Sequence, residues 1–299
     1  MYEEDGTPVT AIPPRKPQDA PRIELCYQFF GIAALSIAGV ACRMALLASV
    51  SENEFFPSST VVTVNTVGCL VMGMLYGMLE LKAVLPYTYV GLTVGFCGSF
   101  TTFSSWMNAV MNDQDPLVQC ITGLTIPFTF FLFGEDLVSG MDFSETFRST
   151  PEIALLVDKA CVAIFSLAAV LTLVTVSAVG DTAAISNGDL ISCALGPIGA
   201  LTRYALSSYL NGRWELKNFM LGTFASNTIA VVIDGALTHC SNKDNWCEYS
   251  IVGICGSLST VSSWVLDTAK IYRTSKPWGY FYCLISVGVG LAIMIPFKQ

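Results

Sequence analysis

The sequence predicts an all-α integral membrane protein of nine transmembrane helices, arranged as two inverted four-helix repeats joined by a linker helix. Three observations carry that expectation. Hydrophobic residues make up 53% of the 299, 13% are charged and the mean hydropathy is +0.58, more apolar surface than a water-soluble core can absorb. The apolar residues fall in runs of about 20, the length needed to cross about 30 Å of hydrocarbon. A polar phrase also recurs inside two of those runs: residues 95–106 read GFCGSFTTFSSW and residues 253–264 read GICGSLSTVSSW.

Along the chain, residues 1–24 are Pro-rich, carry Glu3, Glu4, Asp5, Arg15 and Lys16, and read as a disordered tail without the apolar core of a secretory signal. The spans are expected at roughly 25–49, 59–80, 86–110, 116–133, 159–179, 188–209, 218–238, 248–269 and 278–296. They are helices rather than barrel strands, because the runs are long and lack alternation. This gives a first four-helix domain over 25–133, a connector over 134–187 whose helix covers about 159–179, and a second four-helix domain over 188–299.

Charge sets the orientation. An amino terminus in the cytoplasm puts eleven basic residues inside, among them Lys82, Arg148, Arg213 and Lys270, and only Lys243 and Lys298 outside. The carboxyl terminus is then outside. The net charge of −8 sits mostly in loops and tail, and no basic surface for nucleic acid exists. Of the eleven cysteines, Cys42, Cys69, Cys97, Cys255 and Cys283 lie in spans as small packing residues, and none has metal-ligand spacing. Cys240 and Cys247 share one outer loop, which makes them a disulfide candidate.

The halves correspond. Gly39-Val-Ala-Cys-Arg43 matches Gly199-Ala-Leu-Thr-Arg203, Asn65-Thr66 matches Asn227-Thr228, and eight of the twelve positions in the repeated phrase are identical. A single helix between two four-helix copies forces the second copy to enter the bilayer from the other face, the inverted arrangement that recurs in transport proteins.

The phrase itself reads two ways. Its glycines and hydroxyls weaken a helix, so Gly98-Ser-Phe-Thr-Thr102 marks a break at mid-membrane, tolerable only where it faces protein, water or an ion; small residues also let helices pack closely. Arg43 and Arg203 either anchor a helix through carbonyls or make the interior favourable to anions. Asn65 and Asn227 either bond between helices or offer N–H donors, as do the hydroxyls of Thr102, Thr260, Ser104 and Ser262. Phe103, Trp106 and Trp264 flank the breaks with ring edges that are electropositive. These groups favour a small anion. Asp234 is the one carboxylate well inside a span, and no nucleophile–base pair, zinc signature or phosphate loop suggests an enzyme.

The ordered set of a span arginine, a span asparagine and a Gly-x-x-Thr-Thr-Phe-Ser run resembles the fluoride channels of the Fluc (CrcB) family, and the fused layout is similar to the eukaryotic fluoride exporters. The resemblance covers about residues 25–133 and 188–296 and implies passive fluoride export across the plasma membrane by a single chain that acts as its own pseudo-dimer. It implies a structural sodium ion on the backbone carbonyls of Gly98, Thr101, Gly256 and Ser259. It implies anion contacts at Asn65, Asn227, Phe103, Trp106 and Trp264, and a hydroxyl track at Tyr282 and Ser286. Trp stands for the second family Phe in both halves, Val261 removes the first ring in one, and Ala230 stands where the other half has Gly68. That asymmetry predicts one conducting and one vestigial pore. A carrier coupled to protons or cations through Asp234 is the alternative.

Overall fold

A computed structural model describes residues 22–51, 60–141, 151–179, 186–211, 218–241 and 244–298. The tail over 1–21 and several basic residues of the orientation argument, Arg148, Arg213, Lys217 and Lys243 among them, lie outside the described residues. Those described are almost all helical, with no strand among them.

Helix α1 spans Arg22–Ser51 and α2 Thr60–Gly77; short helices α3 (Leu79–Val84) and α4 (Pro86–Val90) lead into a π-helical stretch, Gly91–Cys97, then α5 (Gly98–Phe100) and α6 (Phe103–Asn112). Helices α7 (Pro116–Ser139) and α8 (Pro151–Val179) follow, then α9 (Asn187–Leu210) and α10 (Leu221–Ser241). The second half repeats the broken segment as α11 (Asn245–Ser250), a π-helical Ile251–Cys255, α12 (Gly256–Leu258) and α13 (Ser262–Thr274), and closes with α14 (Lys276–Met294) and a 3-10 turn, Ile295–Phe297. Eight of the described helices are long and apolar enough to cross a membrane: α1, α2, α7, α8, α9, α10, the run Asn245–Thr274 and Lys276–Phe297. The chain is a multi-pass membrane protein.

Three expected boundaries shift. Arg22, Ile23 and Glu24 belong to α1 rather than to the tail, α7 runs past residue 133 to Ser139, and α8 starts at Pro151 instead of 159. Each extension adds polar or charged residues to a helix end, where hydropathy fades before the backbone hydrogen bonds do.

Local chemistry explains where the helices begin. Pro116 and Pro277 sit in first turns, where the missing N–H costs nothing. Ser186 and Asp189 form a reciprocal capping box on α9. The segment Pro86–Phe100 has no cap of its own; Asp158 of α8 supplies one, its two carboxylate oxygens each accepting a backbone bond, from Tyr87 N and Thr88 N at 2.8 Å. Helix α8 docks on the first half at the same end, where Lys159 lies 5.4 Å over the Tyr27 ring, itself stacked on Tyr87. Val162 is buried on the same docking face, while side chains such as Leu156, Ile164 and Leu167 are exposed, as a lipid-facing surface requires.

The broken segments lie against α1 and α9. A side chain on Gly39 would come within 2.6 Å of the Phe96 carbonyl, and one on Gly199 would meet the Ile254 carbonyl. Only glycine permits that backbone-to-backbone approach.

Candidate functional site: two broken helices that cross

Both repeated phrases break where the sequence places the weakness. Thr101 and Thr102 have extended backbone between α5 and α6, and Ser259 is extended between α12 and α13. The breaks meet, and each supplies what the other lacks. The Thr101 hydroxyl lies 3.2 Å from Val261 N and 3.1 Å from Ser262 N, accepting from the amides that open α13. The Ser259 hydroxyl stands 3.2 Å from both Phe103 N and Ser104 N and accepts from the amides that open α6. Each helix is thus capped across the fold by the other half, satisfying amides that the bilayer interior would otherwise leave bare.

Hydroxyls knit the crossing further. Thr101 Oγ1 is 3.2 Å from Thr260 Oγ1 and 3.0 Å from Ser262 Oγ, while Ser259 Oγ is 3.2 Å from both Thr102 Oγ1 and Ser104 Oγ. All six residues are buried. Two asparagines hold the extended residues in place: Asn65 accepts from Thr102 N (2.9 Å) and donates to its carbonyl (3.1 Å), and Asn227 does the same for Thr260 (2.8 and 3.1 Å). A side-chain amide has two N–H groups, so each asparagine keeps one hydrogen beyond this clamp.

Arg43 and Arg203 take the anchoring role. Arg43 crosses to the second half and donates to the Gly256 carbonyl (2.8 Å) and the Val252 carbonyl. Arg203 donates to Ser257 O (3.0 Å) in its own half and to Val94 O (2.8 Å) in the other. Gly98 and Gly256 make room for the guanidinium groups, which any side chain there would strike. The π-helical stretches leave carbonyls free to accept these bonds.

The rings gather beside the crossing. Phe103 meets Trp106 and Trp264 edge-on at 5.5 and 5.6 Å between centroids, and the two tryptophans lie 6.1 Å apart. All three are at most 1% exposed, so any ion among them has shed its water. The Trp106 indole reaches toward Gln119 O at 3.4 Å, whereas the buried indole N–H of Trp264 and both amide atoms of Gln119 have no partner among the described residues. Helices α6, α10 and α14 surround one flank of the crossing, and α2, α7 and α13 surround the other. The first flank holds Phe103, Ser104, Asn227, Tyr282 and Ser286; the Ser286 hydroxyl donates to Tyr282 O (2.6 Å), and the Tyr282 hydroxyl reaches toward Met220 O (3.4 Å). In the second flank Val261 replaces a ring, and the α7 hydroxyls turn away, with Thr125 exposed and bonded to its own helix at Ile121 O.

The structure joins Cys240 to Cys247 in a disulfide, with Cα atoms 6.0 Å apart. Sequence reasoning missed two features. Thr101 and Ser259 enter the sequence reading for their backbone carbonyls, although a hydroxyl directly before a helix start is also a capping signal. Asp158 directly precedes the span expected at 159–179, and an acid at that place is a signal for a helix-capping role.

Comparison with known proteins supplies the context. The chain is 28% identical over 263 residues to Fluoride export protein 1 of Neurospora crassa, covering 73% of this chain and 48% of that protein, so it spans about half the length of that relative. It is 26% identical over 302 residues to Fluoride export protein 1 of Candida albicans, covering 86% and 75%. Fluoride-specific ion channel FluC of Pseudomonas syringae pv. syringae is 38% identical over 105 residues, which is 32% of this chain but 84% of the bacterial protein, a relative about one repeat long. No solved structure matches the chain. Residues 30–134 and 190–296 each match the family described as CrcB-like protein, Camphor Resistance (CrcB), and the protein therefore belongs to the CrcB family, with two copies of the family unit in one chain.

Proposed function

We propose that this protein is a passive, fluoride-selective channel that exports cytoplasmic fluoride across the plasma membrane. One observation carries the reading: dry ring edges, hydroxyls and spare amide hydrogens converge where two broken helices cross, the chemistry a small anion needs when it sheds water. The curated relatives are named as a fluoride channel and fluoride export proteins rather than as enzymes. An inside-negative potential supplies about 2.3 kcal/mol per charge per 100 mV, enough to drive an anion outward without fuel.

The reading takes the chain as nine spans, counting the broken segment Pro86–Asn112 as the ninth, with the second four-helix copy inverted relative to the first across α8. Reciprocal capping at Thr101 and Ser259 supports a two-fold relation between the copies, and the bias of basic residues supports a cytoplasmic amino terminus and an outer carboxyl terminus. The α6–α10–α14 flank, with Phe103, Trp264, Asn227, Tyr282 and Ser286, is the conducting path; the α2–α7–α13 flank, with Val261, Trp106 and Asn65, is vestigial.

The break residues fit a structural sodium ion in part. Thr102 N and Phe103 N, which would close helical bonds on the Gly98 carbonyl, go instead to Asn65 and to Ser259. The Thr101 and Ser259 carbonyls accept no hydrogen bond among the described residues. The Gly256 carbonyl is taken by Arg43. Carbonyls of Gly98, Thr101 and Ser259 would hold the ion, which supplies positive charge to fix the crossing.

Purified protein in liposomes tests the reading. Voltage-driven fluoride efflux, with chloride efflux lower by about a hundredfold or more, is expected. Equal efflux of the two halides, or fluoride movement only under a proton gradient, would overturn it.

A further inference from the structure

Asp234 has no task in the proposed path, yet it lies on it. Its side chain is 0% exposed, seven residues beyond Asn227 on α10 and so on the same helix face two turns on. Among the described residues Oδ1 has one long contact, 3.4 Å to Thr238 Oγ1, and Oδ2 has no partner. The groups that act on it are Ser104, next to Phe103 on α6, Thr238 on its own helix, Arg43 on α1 and Cys255 before α12. Arg43 is committed to two carbonyls and forms no ion pair with Asp234 among the described residues. Elsewhere on the packed elements, α9 bears Asp189 in its capping box and Arg203 at its far end, α11 bears Glu248 with Asp244 at its cap, both exposed, and α10 bears His239 toward its end. On α14, Lys276, Tyr280, Tyr282 and Cys283 sit in the opening turns, and Lys298 follows its end.

The other half answers a question of design by contrast. Met72 occupies the equivalent place, buried and apolar. There Ser262 Oγ donates to Cys97 O at 3.0 Å. The mirrored bond, Ser104 to Cys255 O, is not made among the described residues, and Ser104 is among the groups that act on Asp234 instead. A charged carboxylate with a bare buried oxygen is costly, and in an anion's path it repels the cargo. A protonated carboxyl is neutral and carries an O–H donor beside the other donors of that flank.

We propose that Asp234 is the proton-bearing residue of the anion path: protonated, its carboxyl donates a hydrogen bond to the passing fluoride; ionised, its charge closes the path. The proton stays on the carboxyl, so transport needs no coupled proton flux. This rests on the fluoride reading. Asp234 lies toward the end of α10 that carries Cys240, the outer end in the orientation proposed, so acid outside opens the channel. That is the condition under which neutral HF enters a cell.

The test uses the full chain in liposomes, with fluoride efflux driven by a potassium diffusion potential at equal pH on both faces and protein-free vesicles subtracted. As the pH is raised from about 5.5 to 8.5, wild-type efflux is expected to fall by about tenfold or more. Asp234→Asn, whose amide donates at every pH, is expected to give a flat profile, as is Asp234→Met. A flat wild-type profile overturns the proposal even if a variant fails to fold, and so does a pH dependence that survives Asp234→Asn. Fluoride efflux absent from wild type at every pH removes the channel reading itself, and this proposal with it.

Discussion

The two flanks of the crossing are copies of one unit that share an asparagine, a serine and a tryptophan, and they differ in the other side chains that line them. Around α6, α10 and α14 stand Phe103, Ser104, Asp234, Tyr282 and Ser286; around α2, α7 and α13 the matching features are Val261, Met72 and an α7 whose Thr125 turns outward. The crossing itself is unlike its flanks. Its two asparagine clamps and two hydroxyl caps are preserved on both sides, with the paired distances agreeing to about 0.1 Å. A break in mid-membrane must have its amides satisfied in both halves or neither half folds, whereas the reading proposed above needs a conducting path only once.

The sharpest way to break the comparison is to truncate the matching side chain in each flank, a ring in one and a valine in the other. Phe103→Ala is expected to lower fluoride efflux in liposomes by at least about tenfold, while Val261→Ala changes it by less than about twofold. Equal losses would make the flanks functionally alike. Asn227→Ala and Asn65→Ala refine the point. Each removes two buried hydrogen bonds, about 2 kcal/mol together, so thermal stability in detergent should fall similarly, while efflux falls further for Asn227 if its spare N–H faces the ion.

A smaller effect is expected at the caps. Thr101→Val and Ser259→Ala each strip one cross-fold cap, costing about 1 to 2 kcal/mol apiece, and the two variants should lower the melting temperature alike. A large difference would mean that the crossing, too, has become one-sided.

How much of this was legible beforehand follows from what repeats. Helix class and the break positions were readable because hydropathy and glycine–hydroxyl clusters act locally, and the correspondence of Arg43 with Arg203 and Asn65 with Asn227 placed the crossing. The Cys240–Cys247 pairing followed from the charge bias that put their loop outside. The bonding partners were not readable. That Thr101 would cap α13, or that Arg43 would reach Val252 and Gly256, depends on how two distant segments pack, and a sequence offset carries no such information. Helix ends were blurred for another reason: Glu152, Asp158 and Lys159 interrupt the apolar run over 151–159, yet the backbone continues the helix.

Asp158 shows what that blur concealed and gives the last comparison. The second half starts its broken segment with a local cap, Asp244 accepting from Trp246 N at 2.9 Å at an exposed site. The first half has Leu85 at the same structural point, with no side-chain cap, and borrows Asp158 from α8, buried and bonded to two amides. The connector is therefore part of the first half's folding unit as well as the tether between halves. Asp158→Ala leaves two amides bare in a dry site and should destabilise by about 2 kcal/mol or more, while Asp244→Ala, where water can replace the lost oxygen, should cost less. Hydrogen exchange at Tyr87 and Thr88 reads the loss directly: protection should fall in Asp158→Ala and hold in Asp244→Ala. Leu85→Asp added to Asp158→Ala supplies a local cap in the manner of the second half, and recovery of that protection would establish that Asp158 acts by capping rather than by filling space; no recovery would assign its weight to packing between α8 and α4.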